Sequence, residues 1–221
     1  MRVIIFFLYV ALVTFAGYLD SEFSTRIIAI ILLISSVYVF YTQKQEFKEK
    51  LTTKKFSLLI LLALSSAFFF ILLNYNATNS EYYNSLYTLN FVDTLLLCVI
   101  IPVIEEVVFR LYWLRYLNRV LSETKVILIT SLGFSIIHFY SGVPLLFPFL
   151  YGILFAWLYL KFRNIYLCIV LHVLYNTIAV FIYTAIQNIE VTNQIKVIGL
   201  ITAGVLMILS LRQLYIRSKT L

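Results

Sequence analysis

Ile101-Pro102-Val103-Ile104-Glu105-Glu106-Val107-Val108-Phe109-Arg110 sets two adjacent carboxylates and a guanidinium inside a run otherwise apolar enough to lie in a lipid bilayer. An ionisable side chain at the bilayer centre costs roughly 2.5 to 3.5 kcal/mol even on insertion scales, so each needs a partner or a chemical use. On a helix, Glu106 and Arg110 are four residues apart with the acid first, the favourable order for an ion pair. Glu105 points about 100° away, at about 3.6 residues per turn, and is left without an obvious partner on its own helix. What faces it has to come from elsewhere in the chain.

Outward from this stretch the composition is that of a membrane protein. The 221 residues are 62% hydrophobic, 17% aromatic and 12% charged, whereas a soluble domain carries about 25% charged residues. The net charge of +7 is spread in short clusters between apolar runs, the pattern of loops at a membrane surface, and does not imply nucleic acid. Cys98 and Cys168 both sit inside apolar runs and read as small core residues. Arg2 precedes an apolar run that is longer than a signal core and lacks a clear small-x-small cleavage site, so it reads as a retained first span.

The expected fold is all-α: one polytopic domain over 1–221, a bundle of about eight transmembrane helices. The apolar runs are roughly 3–19, 27–41, 56–73, 94–113, 126–139, 145–160, 165–183 and 197–214. Residues 1–92 read as scaffold helices, 93–183 as the catalytic core and 184–221 as a C-terminal helix. Orientation follows from charge. Arg2, the lysines at 44, 48, 50, 54 and 55, then Arg110, Arg115, Arg119, Lys125, Lys161, Arg163, Arg212, Arg217 and Lys219 all fall on one side, leaving Arg26 and Lys196 on the other. Basic loops stay in the cytoplasm, which puts both termini there. Residues 43–55 read as a solvated helical extension and 74–91 as an external loop, whose Asn76-Ala77-Thr78 is formally a glycosylation sequon.

Pro102 removes the backbone hydrogen bond to Cys98 one turn before Glu105 and should loosen the helix there. The chain's two histidines, His138 and His172, also lie in apolar runs, and His172 and Asn176 share a helix face at four-residue spacing. Depth can be counted from the nearest cytoplasmic basic residue at about 1.5 Å per residue: Glu105 and His172 then lie roughly 15 Å in, and His138 and Asn176 roughly 20 Å in. One slab of the bilayer holds all four, so a single site is geometrically open to them. Their chemistry suits water activation. A partly desolvated carboxylate is a better general base near neutrality, and imidazole and amide N–H groups stabilise a developing oxyanion. Two histidines and a glutamate are also a zinc-ligand set, Glu105, His138 and His172 being the alternative ligands, although the His-Glu-x-x-His spacing is absent. The asparagine is better explained as a donor than as a zinc ligand, which favours a reaction with no required cofactor. A proton or ion pathway would also use buried Glu, His and Arg, but would spread polar residues through the full thickness of several spans.

Glu-Glu-x-x-x-Arg at 105–110, Phe-x-x-x-His at 134–138 and His-x-x-x-Asn at 172–176, in this order on separate spans, resemble the CAAX prenyl endopeptidase and bacteriocin-processing family of intramembrane proteases. The resemblance covers about 95–180. It implies that Glu105 is the general base, that His138 helps to hold the water, that His172 and Asn176 form the oxyanion site, and that Glu106 and Arg110 brace the helix. It further implies an eight-helix bundle with a cytoplasm-facing intramembrane cavity and an endopeptidase acting on a membrane-associated peptide or protein. The alternatives are a zinc-dependent version of the protease and a bacteriocin self-immunity protein that works by binding. Leu111 departs from the pattern, since many members have glycine after the motif arginine. The compact chain leads to an expected location in a prokaryotic plasma membrane.

Overall fold

Chain that crosses lipid must satisfy its backbone N–H and C=O groups internally, and a helix does so within one segment. The computed structural model describes residues 2–18, 34, 53–73, 90–139, 143–186 and 192–218, and among them the regular elements are seven helices with no strand. They are α1 (Arg2–Tyr18), α2 (Thr53–Leu73), α3 (residues 91–118), α4 (Glu123–Ile136), α5 (Leu146–Phe162), α6 (Ile165–Ile186) and α7 (Asn193–Ser218). Phe56–Leu73, Ile165–Ile182 and Asn193–Ile216 are long and apolar enough to cross a membrane, and α1 and α5 are shorter apolar helices. The chain is an integral membrane protein by these helices. All but residue 34 of the expected span at 27–41, most of the extension at 43–55 and most of the loop at 74–91, with its sequon, lie outside the described residues.

Helix α3 widens in two stretches. Leu96–Ile100 and Val107–Leu114 are π-helical, with α-helical turns before, between and after them. Such wide turns are rare and often mark functional sites. The loosening expected at Pro102 takes this form: the Ile101 N–H reaches five residues back, to the Leu96 carbonyl. In a turn of this width the next carbonyl, that of Leu97, would accept from residue 102, and proline has no N–H to give.

Helix α4 stops earlier than its apolar run. The Ile137 N–H donates to Gly133 O at 3.2 Å and the His138 N–H to Ser135 O at 3.0 Å, a tightened turn that ends the helix. His138 therefore sits just past the end of α4, two residues beyond its last helical residue, Ile136. The cause is local: Ser135 Oγ donates to the Leu145 carbonyl at 2.6 Å, tying the end of α4 to the entry of α5. The breaker-rich Ser141-Gly142-Val143-Pro144 follows.

The chain divides into two compact units, Met1–Glu49 with Val103–Cys168, and Lys50–Pro102 with Ile169–Leu221. In the first, α1 turns Phe6, Val10 and Val13 inward and leaves Ile4, Leu8, Leu12 and Phe15 exposed, an outer face suited to lipid. Gly133 of α4 lies under the Phe6 ring, where a Cβ would collide with it. Helix α5 ends at Arg163, whose φ of 48° is left-handed and whose N–H donates to Tyr159 O at 2.8 Å. Asn164 follows and its side chain accepts from the Tyr166 N–H at 2.9 Å, starting α6. In the second unit α2 and α7 run together, with Gly199 of α7 facing Leu72 and Phe68 of α2. The other face of α7, with Ile198, Ile201, Val205 and Ile208, is exposed.

Candidate active site

Glu105 and Glu106 occupy the short α-helical stretch of α3 between its two π turns. Both are buried, at 5% and 0% exposure. Their side chains diverge, as adjacent helical residues must, and they meet different partners. Arg110 Nε lies 3.3 Å from Glu106 Oε2, the ion pair expected from the four-residue spacing. Arg110 is itself 2% exposed. Its Nη2 donates to the Gly152 carbonyl of α5 at 3.4 Å. The guanidinium lies 4.5 Å from the ring centre of Phe134, 5.2 Å from Phe155 and 5.8 Å from Phe109. Nη1 has no hydrogen-bond partner among the described residues, and three aromatic neighbours, with their negative ring faces, surround the cation instead.

Glu105 is faced by His138. Nε2 of the imidazole is 3.7 Å from Glu105 Oε1. On its other side, Nδ1 is 2.7 Å from the Phe134 carbonyl, an oxygen that can only accept, so the proton of the neutral ring resides on Nδ1. This hydrogen bond fixes the ring and turns the Nε2 lone pair toward the carboxylate. The Phe134 and His138 rings also touch, with centres 4.8 Å apart. The question left open by the sequence, what faces Glu105, is answered by the residue just past the end of α4.

His172 and Asn176 lie on α6, in the second compact unit. His172 is buried. Asn176 Nδ2 donates to the Leu97 carbonyl at 3.0 Å. That is the carbonyl left without its helical donor by Pro102, so the amide supplies the hydrogen that proline cannot. An amide nitrogen carries two N–H groups; one is engaged here, and an oxyanion role would draw on the other. Replacing Asn176 by alanine should cost about 1 to 3 kcal/mol, the penalty of a part-buried acceptor left without its donor. In a Pro102→Ala background, where residue 102 regains an N–H, the same change should cost clearly less. Thermal unfolding of the four proteins in detergent measures this, and equal losses in both backgrounds would show that the two residues are not coupled.

Among the described residues no three His, Cys, Asp or Glu side chains gather as a metal-binding group. Glu105 and His138 are two donors where a catalytic zinc takes three protein ligands and a water. His172, the third of the alternative ligands, belongs to the other compact unit.

Sequence reasoning passed over Gly152. Its signal was present: a single glycine inside a long apolar helical run, with no turn beside it, usually has a packing reason. A Cβ built on Gly152 would lie 2.9 Å from both Cα and Cβ of Ser131 on α4.

No curated protein and no solved structure matches the chain. Residues 87–178, which hold Glu105, Glu106, Arg110, His138, His172 and Asn176, match the model of the type II CAAX prenyl endopeptidase Rce1-like family.

Proposed function

We propose that the chain is an intramembrane endopeptidase of the CAAX type, hydrolysing a peptide bond of a membrane-associated protein or peptide with a water activated by Glu105 and held by His138. The observation that carries this is the pairing of a buried carboxylate with an imidazole whose outer nitrogen is already tied down. With Nδ1–H spent on the Phe134 carbonyl, two acceptors, Nε2 and Oε1, face each other at 3.7 Å. A water oxygen about 2.8 Å from each closes a triangle on that base and donates one hydrogen to each side.

The step then balances simply. Glu105 takes one proton of the water as its oxygen bonds to the scissile carbonyl carbon, and His138 holds the other hydrogen. The negative oxygen that forms is stabilised by N–H donors, the role that the resemblance gives to His172 and Asn176. Collapse breaks the C–N bond, and the proton on Glu105 passes to the departing amine. Glu106 and Arg110 take no part in this transfer; they fix the helix that presents Glu105. In this reading both termini are cytoplasmic, the site opens to the cytoplasmic half of a prokaryotic plasma membrane, and zinc is not required.

The test is cleavage of lipid-anchored and leader-containing reporter peptides by purified protein, comparing wild type with Glu105→Ala and His138→Ala, each with and without chelator. Each substitution is expected to lower the rate by about 100-fold or more, as removal of a general acid–base group does. Chelator should leave the wild type active. A loss in chelator that zinc restores would replace this mechanism with the metal-dependent one. Cleavage by both variants would remove the catalytic reading and favour an immunity protein that acts by binding.

A further inference from the structure

We propose that Gly152 of α5 is a positioning residue for His138, acting through Arg110 and Phe134. The proposal rests on the hydrolytic reading above and adds to it a residue outside the three motifs. Three contacts make the argument. First, Gly152 packs α5 directly against α4: a Cβ there would lie 2.9 Å from Ser131 Cα and Cβ and 3.2 Å from its Oγ. One of these is a backbone atom, which cannot swing aside, so a side chain at 152 forces the two helices apart. Second, the Gly152 carbonyl accepts from Arg110 Nη2 at 3.4 Å, so the same residue ties α5 to α3. Third, the guanidinium held in this way lies 4.5 Å from the Phe134 ring centre. Phe134 in turn holds the catalytic imidazole, by its carbonyl at 2.7 Å and by its ring at 4.8 Å between centres.

Glu105 and Arg110 share one helix, so Gly152 closes a loop of contacts joining the carboxylate on α3 to the imidazole after α4. Moving α5 off Ser131 pulls the carbonyl from Arg110 and shifts Phe134 against the guanidinium. The change is felt at the 3.7 Å separation between His138 Nε2 and Glu105 Oε1. Reactions that depend on placement are steep in this coordinate: a displacement of about 1 Å costs about 100-fold in rate.

The experiment is steady-state kinetics of Gly152→Ala in the reporter assay, with the folded fraction measured by thermal unfolding and size exclusion in detergent. Alanine is the better helix former, so a loss cannot come from α5's own propensity. Per folded molecule, kcat should fall about 10- to 100-fold with KM within about twofold, the split expected of lost placement rather than lost binding. Ser131→Gly added to Gly152→Ala removes the Cβ and Oγ contacts and should restore part of kcat. A wild-type kcat in Gly152→Ala overturns the proposal, as does a loss confined to the folded fraction. If Gly152→Ala does not fold, Phe134→Leu carries the test. It removes the ring from both the guanidinium and the imidazole while leaving the backbone carbonyl, and the same fall in kcat is expected; an unchanged kcat overturns the proposal. Glu105→Ala in the same plate separates the two levels of argument. If it still cleaves, the hydrolytic reading has failed; if it is dead while Gly152→Ala and Phe134→Leu turn over normally, only the positioning proposal has.

Discussion

Replacing Arg110 by methionine is expected to lower the unfolding free energy by about 3 to 5 kcal/mol, the range found when one partner of a buried ion pair is removed. Methionine keeps much of the volume, so the loss is electrostatic. The Glu106 carboxylate, at 0% exposure, would be left in an apolar interior without the cation 3.3 Å away. For a chain of this size that is a fall in thermal midpoint on the order of 10 °C. Arg110→Lys should lose less, since the charge remains while the planar fork that reaches the Gly152 carbonyl and lies against Phe134 is gone. The double variant Arg110→Met/Glu106→Gln should recover much of the loss, because no buried charge is then left uncompensated. Thermal unfolding in detergent reads all three. A loss below about 1 kcal/mol in Arg110→Met would mean that Glu106 is stabilised mainly by something other than this pair.

The two adjacent glutamates should separate cleanly by experiment. Glu105→Gln is expected to lower the cleavage rate by about 100- to 10,000-fold, the contribution of a general base, with little change in thermal midpoint. Glutamine keeps the shape and remains beside His138 Nε2, but cannot take a proton from water. Glu106→Gln should show the reverse, a loss of stability with most of the rate retained per folded molecule. Its neighbour is a permanent cation, the Arg110 guanidinium. If the two effects came out exchanged, the base would be Glu106.

What the sequence made legible is what local spacing controls. The Glu106–Arg110 pair follows from helical geometry, and the helices at 53–73, 146–162, 165–186 and 193–218 follow from apolar runs long enough to demand backbone self-satisfaction. The partner of Glu105 was beyond spacing arguments, because His138 lies on a different element and only folding decides which imidazole arrives. The end of α4 was misplaced for a related reason. Its apolar run continues through Phe139, while the helix is stopped by a side-chain bond from Ser135 to Leu145. Apolarity marks what lipid tolerates, and it does not record where a backbone turns. The π turns of α3 were half legible: Pro102 announced a disturbance, but its form depends on which carbonyl finds a substitute donor. Gly152 was in plain view, yet its use depends on Ser131 and Arg110, which are distant in sequence.

The substitute donor has an evolutionary meaning. In lipid a carbonyl without a donor costs several kcal/mol, so Pro102 is tolerated because Asn176, on another helix, offers its amide to Leu97. The two positions are thus one inherited decision rather than two. A descendant that exchanges the proline for a residue with an N–H releases the amide at 176 from the Leu97 carbonyl and leaves only the oxyanion role to hold it, whereas one that loses the amide first passes through a less stable ancestor. Related chains should therefore change position 102 before position 176, leaving a directional trace in their ancestry.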